Sequence, residues 1–545
     1  MLHERRMYMR TWGFNVNKNS ALWKCFSRNT ADTRCMRNTA NFYIRNVMTG
    51  LRKSPEERTH AETEVLHEVF TGIQKANLLA VERYRKNLRK LRLAGGMKSA
   101  VVCSCLELKQ FSYPTRTNWF LSYEVLDAVF KATEHPVYCR MDSQVNQNAI
   151  RKTVKAWKSY FKAVRDYAAH PEKYQAKPRI PGYIRTTGAT AWWTNQTAKF
   201  LFRDGKAYLR FVNVKQPFCL GNASLFEGST YVKTEVQPFH GHFRVLVTFD
   251  DHQKEAPVPE YPERILGVDI GLSNLLAAAG NFGDTPFVIG GGPVKALNQW
   301  FNKRKAELLS ALTRGSDSKH SMKESHALDA LSRKRDDTLN DIFYKCAWYL
   351  LRYAKANQVD VIVIGYNKTQ KQGIGIGKQN NQAFVSVPYG KLRQCIRTVA
   401  AKLQVPVVEQ EESYTSKASL LDLDQIPVYQ SGKKNETGFS GSRIRRGLYR
   451  SADGTVLNAD VNGAGNILRK RYPEAFDGRP LSYLWKTTKA VEIKDWYQKG
   501  GKKVSQKRHK ASIASKVHHE QRKQTRREYL KLFGKSKKKR QPEAA

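Results

Sequence analysis

The sequence predicts a multidomain α/β protein, with an α-helical domain set into a small β-barrel and a larger mixed α/β domain following both. Three patterns carry this expectation. Apolar residues recur at three- and four-residue spacing over the first third of the chain, the period of amphipathic helices. Between Thr186 and Asp251 the pattern becomes strict alternation of β-branched and aromatic residues, broken by Gly and Asn turns. From Arg264 onward, short wholly apolar runs alternate with helical stretches, as in buried strands joined by crossover helices.

Taken in order, Tyr8 to Val16 reads as a lone strand that closes the barrel, giving a first segment 1–20. The helical domain, 21–173, contains a stretch from about Arg37 to Leu91 and a second from Ser122 to Tyr167. In the second, Val154, Trp157, Tyr160, Phe161 and Val164 share one face, and basic residues including Lys155 and Lys158 lie opposite. The segment KPRIPGY, 177–183, ends helical structure with two prolines and a glycine. The β-domain, 174–262, holds AKFLFRD, KAYLRFVNV and HFRVLVTFDD, and Trp192 and Trp193 open it as sheet aromatics or base-stacking platforms. APVPEYPE marks the boundary to the third domain, 263–485. There the strands RILGVD, TPFVIGG, VDVIVIGYN and VPVVEQEES are joined by the helical stretches Lys295 to Ala356 and GKLRQCIRTVAAKL. The tail, 486–545, carries 20 Lys and Arg against 5 Asp and Glu, and is expected to order only in part and only on a polyanion.

Charge decides the class of partner. The 545 residues include 94 Lys and Arg against 48 Asp and Glu, a net charge of +46. Solubility is served by a net charge of roughly ten or less, and membrane-surface binding concentrates its cations on one amphipathic helix. Here the excess runs through every domain, matching a long polyanion whose phosphates each release counterions on contact. No run of about 18 apolar residues exists to span a membrane, and the opening MLHERRMYMRTWGF lacks the apolar core of a secretion signal. A cytoplasmic, nucleoid-associated prokaryotic location with no membrane partner is therefore expected. The eight cysteines, Cys103 and Cys105 among them, show neither zinc-ribbon nor disulfide spacing and read as reduced, mostly buried packing residues. GIGIG, 373–377, lacks the spacing of a dinucleotide loop, and the thirteen histidines form no metal motif.

Against this basic background the placement of a few acids is informative. Asp269 ends an apolar strand and Asp460 opens an apolar helix. A buried carboxylate costs several kcal/mol unless it is paired or bound to metal. Two-metal phosphodiester hydrolysis uses hard oxygen ligands in such positions; the plainer readings are a satisfied loop carboxylate for Asp269 and a helix cap for Asp460.

GVDIGLSN, followed far downstream by NADVNGAGNILRK, resembles the first and last motifs of RuvC-type, RNase H-like nucleases. More narrowly, the chain resembles TnpB, the transposon-encoded RNA-guided DNA endonucleases related to type V CRISPR effectors and to Fanzor. The resemblance runs through LSYEVLDAVFKATEHPVY, AWKSYF, KPRIPGY, NKRKAEL, IGYNK with GKQNNQAFVSVPY, EESYTSKAS and FSGSRIRRGLYRSADG, all in family order across most of residues 120–480. It implies a RuvC-like domain preceded by a wedge β-barrel interrupted by a helical recognition domain. It also implies Mg²⁺ as cofactor, two ions with Mn²⁺ as substitute, and a guide RNA and a double-stranded DNA target as partners, with the protein a monomer or a homodimer on one RNA. Cleavage would leave a 5′-phosphate and a 3′-hydroxyl.

Two departures from the family pattern follow. Where many TnpB proteins carry a middle catalytic Glu, this chain has Gly365 or Tyr366. A subgroup, with the Fanzor proteins, resembles this chain in carrying a glutamate on the next strand just ahead of Thr-Ser-Lys, a position matched by Glu412, with Glu411 the fallback. Asp269, Glu412 and Asp460 are then the implied catalytic and metal-binding residues. The four cysteines common in the family between that motif and the last Asp are missing from the insertion at about 413–459, so no zinc is predicted. Lys417, Lys433, Lys434, Arg443, Arg445, Arg446 and Arg450 stand there instead, and Lys417, Arg443, Arg445 and Arg446, together with Lys155, Lys158, Lys303 and Arg304, are the expected phosphate contacts. Two alternatives stay open: a nuclease-inactive RNA-guided DNA-binding repressor, and a compact type V CRISPR effector.

Overall fold

The computed structural model describes residues 7–94, 107–212, 214, 216–314, 325–367, 387–428, 438–445 and 447–493. The chain divides into two compact units, one comprising Met1–Glu255 with Arg304–Lys334, the other Ala256–Lys303 with Arg335–Ala545. Cys103, Cys105, GIGIG, Lys433, Lys434, Arg446 and the tail beyond 493 lie outside the described residues. No described helix is long and apolar enough to cross a membrane.

In the first unit, helices Trp23–Gly50, His60–Ala94, Tyr123–Ala132 and Ser143–Ala169 pack around Met36, Ile44, Val69, Phe130 and Trp157. Periodicity predicts one helical stretch from Arg37 to Leu91; the structure breaks it at residues 51–59. Pro55 opens a short 3₁₀ turn there, Ser54 and Glu57 cap each other, and Glu62 accepts hydrogen bonds from the Thr59 amide at 2.8 Å and from Lys53 at 2.9 Å. Periodicity misses this break because both halves bury the same apolar stripe. The second stretch likewise divides, with Ser122 capping the first helix through the Val125 amide. The prolines of 177–183 lie as an extended strap along the first helix, held by Asn38, which exchanges two hydrogen bonds with Ile184, and by Asn41, which donates to the Pro181 carbonyl.

The β-strands of this unit are β1 (Met7–Val16), β2 (Ala191–Thr194), β3 (Ala198–Arg203), β4 (Lys206–Phe211), β5 (Phe218–Asn222), β6 (Thr230–Phe239) and β7 (His242–Lys254). β1 does join the later strands, pairing antiparallel with β7 from Val16 opposite Phe243 to Met7 opposite Lys254. The expected closed barrel is not formed among the described residues. The strands make a four-stranded sheet, β1-β7-β6-β2, and a separate three-stranded sheet, β3-β4-β5. After only four residues of β2 the chain turns at Thr194–Thr197 and leaves for the other sheet, so no ladder joins the two. Their inner faces share one core around Phe26, Trp193, Phe211, Phe226 and Phe249, and alternation reads alike for a sandwich and a barrel. Trp193 is buried, while the ring of Trp192 has the ammonium of Lys152 at 3.7 Å and that of Lys233 at 4.8 Å, so both act as packing residues.

The second unit is built on a six-stranded sheet. β8 (Ile265–Asp269), β9 (Asn274–Gly280) and β10 (Phe287–Gly290) run antiparallel to one another; β11 (Val361–Tyr366) lies parallel to β8, and β12 (Val407–Glu411) parallel to β11. β13 (Ser442–Arg445), β14 (Leu448–Arg450) and β15 (Val456–Asn458) form a small antiparallel sheet, and β16 (Lys489–Val491), inside the stretch read as tail, adds to the edge beside β10. One face of the large sheet packs on helices that include Tyr389–Leu403 through Leu350, Ile362, Ile396 and Val399; the other packs on helix Ala459–Arg471 through Val461, Ala464 and Ile467. Burial on both faces explains why β8 and β11 are apolar up to their last residues, Asp269 and Tyr366. Of the six described cysteines only Cys346 and Cys395 are buried, whereas Cys139 and Cys219 are exposed, correcting the expectation that most pack inside.

Candidate active site

The sheet topology brings the ends of β8 and β12 and the start of helix Ala459–Arg471 toward one another. Asp269 is the last residue of β8. Its carboxyl is pushed up to about 8, first by burial and then by the charges of Glu412 and Asp460, with Arg443 and the Ile270 amide pulling the other way. Glu412 directly follows β12 and is pushed up to about 7, chiefly by burial, against the opposing pull of Arg393 and Lys470. Burial and like charge both favour the protonated acid, and the nearby cations offset them only in part.

Two glycines make this crowding feasible. A side chain at Gly365, on the strand between β8 and β12, would bring a Cβ to 2.6 Å from the Glu412 carboxylate and 2.6 Å from Ile467. One at Gly463 would sit 2.9 Å from the Asp269 carboxylate. The position where many TnpB-type sequences are expected to carry an acid is thus the clearance that the Glu412 carboxylate occupies.

Glu411 has a different environment. It is exposed, accepts from Lys470 at 2.7 Å and from the Ser413 amide at 2.6 Å, and these hydrogen bonds hold its carboxyl below the usual range despite the opposing effect of burial. Asp460 lies in the first helical turn, but the cap is Asn458, whose side chain accepts from the amides of Asp460 and Val461. The Asp460 carboxylate is left to accept from Asn274 at 2.6 Å and to pair with Arg443 at 3.4 Å. Asn274, Arg393 and Tyr389, whose hydroxyl is held high by burial and by Asp269, were not singled out by the sequence. Asn274 closes the GVDIGLSN motif and was open to notice; Arg393 and Tyr389 lie on a helix far away in sequence and were not.

The donor set, hard carboxylate oxygens, suits a divalent cation such as Mg²⁺. Among the described residues no three acidic, His or Cys side chains stand close enough to form a ready-made metal cage. Of the expected phosphate contacts among the described residues, only Arg443 reaches the carboxylates. Lys417 and Arg445 are exposed elsewhere on the insertion, Lys155 and Lys158 are exposed on helix Ser143–Ala169, and Lys303 and Arg304 are exposed on helix Gly292–Thr313, with Arg304 paired to Glu307 at 2.6 Å. The small sheet is tied down by carboxylates: Asp424 accepts from the Ser419 amide at 2.7 Å and from Ser440, and Asp422 from the Ser419 hydroxyl at 2.5 Å and the Ala452 amide at 3.0 Å.

Residues 242–371 match the OrfB_IS605 family, described as a probable transposase. Over that segment the chain is similar to TnpB-type proteins. No curated protein sequence matches it. Among solved structures, a Cas12f1–sgRNA–target DNA complex is 12% identical, with 85% of this chain and 99% of that chain covered and a TM-score of 0.42. CasPhi-2 (Cas12j) bound to crRNA and phosphorothioate-DNA is 10% identical, with 66% and 85% covered and a TM-score of 0.31. C2c1 of Alicyclobacillus acidoterrestris with single-guide RNA is 10% identical, with 82% and 70% covered and a TM-score of 0.28.

Proposed function

We propose that this chain is an RNA-guided DNA endonuclease associated with a transposable element, hydrolysing phosphodiesters at one site formed by Asp269, Glu412 and Asp460. The observation that carries the reading is the convergence of Asp269, Glu412 and Asp460, near enough for the charges of the latter two to act on the Asp269 carboxyl, in a chain with a net charge of +46. A protein that only binds nucleic acid gains nothing by gathering repelling carboxylates beneath a basic surface. The strand order β12-β11-β8-β9-β10, with three antiparallel strands beside two parallel ones, supports an RNase H-like, RuvC-type domain. The first unit, a helical bundle with two sheets, fits the roles of recognition and wedge domains.

Mg²⁺ held by these carboxylates would supply the Lewis acidity that activates water and neutralises the leaving oxygen. The protein's own part is to position the acids, with Asn274 orienting Asp460 and Gly365 leaving space for Glu412. A guide RNA pairing with one DNA strand would supply target choice. The decisive experiment sequences RNA that co-purifies with the protein and assays plasmid cleavage by that complex with Mg²⁺. Absence of bound RNA sinks the guided reading, and unaltered cutting by Asp269→Ala sinks the site.

A second reading, a nuclease-inactive RNA-guided binder, is favoured by the ion pair between Arg443 and Asp460 and by the absence of a ready-made three-ligand cage among the described residues. It requires target binding without cleavage by the wild type.

A further inference from the structure

We infer that a cleft in the first unit is a phosphodiester-binding subsite, a place where the backbone of a bound nucleic acid is gripped without reading its bases. The inference rests on the nucleic-acid-binding part of the proposed function. The cleft, of about 360 Å³, lies between the turn after β1, the β6–β7 hairpin tip and the first turns of helix His326–Ala356. Its chemistry comes from Lys18, His240, His242, His326, Asp329 and Arg333.

The hydrogen bonds identify the ligand class. Arg333 donates to the His240 carbonyl at 3.2 Å and to His242 Nδ1 at 2.5 Å. Guanidinium has no acceptor, so His242 Nδ1 carries no proton and its N–H is at Nε2. Lys18 donates to His326 Nε2 at 3.4 Å, and by the same reasoning His326 carries its proton on Nδ1. Both cations are therefore positioned by neutral acceptors, which leave their charge intact. Both imidazoles retain one N–H donor each. The sole acid of the cleft, Asp329, lies 4.0 Å from His240 and packs on Gly241, the residue that with His240 forms the positive-φ tip of the hairpin.

A site that offers two positioned cations and several N–H donors around a single acid calls for a multi-oxygen anion. A metal ion would meet donors that already face ammonium and guanidinium. A nucleobase would need a flat apolar platform, and among the described residues no Phe, Trp or Tyr lines the cleft. A phosphodiester meets the requirement with acceptors alone, and the hairpin tip and helix start hold the cations in place before it arrives.

The test uses the full chain carrying Asp269→Ala, so that DNA survives the measurement. Binding of a single-stranded RNA and of a duplex DNA of mixed sequence is followed by fluorescence anisotropy across a salt series, for the parent, for Lys18→Gln/Arg333→Gln, and for Arg203→Gln/Lys206→Gln in the β3–β4 turn, which removes equal charge elsewhere. For the cleft pair, affinity at 0.1 M salt should fall about tenfold, and the slope of log K against log salt should shrink by about 0.7 on RNA or 0.9 on DNA for each phosphate that is no longer neutralised. The control pair should change the slope by much less. A change on RNA alone assigns the subsite to RNA, and a change on DNA alone assigns it to DNA. Lys18→Gln alone, at an exposed turn, should give about half the effect and covers the case in which the double variant misfolds. Unchanged slopes on both polymers, or an equal loss in the control pair, overturn the subsite while leaving the nucleic-acid reading intact. A parent that binds neither polymer overturns both.

Discussion

Two sets of carboxylates in the second unit have opposite surroundings. At the sheet ends, Asp269 and Glu412 are half-buried beside like charge, and their carboxyls are pushed well above the usual carboxylate range. In the turn segment that anchors the small sheet, Asp422 and Asp424 spend their oxygens on the amides and hydroxyls of Ser419, Ser440 and Ala452. The second set is what structural acids look like: the carboxylates accept from nearby donors, and the chain is tied together by them. The first set stores repulsion, which a fold retains when function needs it. The contrast separates acids that hold the chain from acids poised to act on something else.

The largest break in this contrast comes at Asp269. Asp269→Ala should lower plasmid cleavage at least about a thousandfold, with guide and target binding retained; residual cutting within tenfold of wild type would place the chemistry elsewhere. Gly365→Ala comes next. Its added carbon meets Glu412 and Ile467 at 2.6 Å, and cleavage should fall about tenfold to a hundredfold by displacing the Glu412 carboxylate. Asp424→Ala should act on stability instead, costing about 1–3 kcal/mol in denaturant unfolding as it strands the donors of Ser419 and Ser440.

The pH dependence sharpens the same line. A carboxyl raised from 3.8 to about 8 stabilises the fold fully below its unfolded value and loses that contribution as pH rises through the folded one. Without divalent metal, Asp269→Asn should therefore melt near the wild type at pH 4 and a few degrees above it at pH 8. A gap that is constant with pH would mean that the carboxyl is not under strain. The smallest effect belongs to Glu411→Ala. This acid pairs with Lys470, which also donates to the Ser413 carbonyl at 2.7 Å, and cutting should stay within about threefold. Loss of cutting here and not in Glu412→Ala would exchange the roles of the two residues.

Much of this was legible in the chain because apolar runs bury themselves. Asp269 stands out since four buried residues precede it in β8, and Asp460 since a buried helix follows. Alternation along β12 required Glu411 and Glu412 to face different ways, and their partners, Lys470 for one and the Gly365 clearance for the other, differ accordingly. Contacts across long sequence separations were not legible. Arg393 and Tyr389 reach the acids only because helix Tyr389–Leu403 packs on the sheet, and β16 lies in a basic stretch whose composition hides a strand. The barrel failed for a related reason: inward and outward positions alternate identically whether sheets close or stack. Basic residues were least informative, since +46 spread over a surface identifies a polyanion but not which lysine touches it.

The pairing of β1 with β7 also sets a timetable for synthesis. Val16 lies opposite Phe243, so β1 leaves the ribosome and waits for its partner while more than two hundred residues are translated. At ~5–20 residues per second that is on the order of ten seconds or more. The intervening helices bury Trp157 and Phe130 among residues that are all translated before β7, and have time to settle first. Until β7 emerges, the nascent chain displays an unpaired strand, MYMRTWGFNV, whose apolar and aromatic residues are interrupted by a lone charge, Arg10, and invite chaperones or other nascent copies to pair with it.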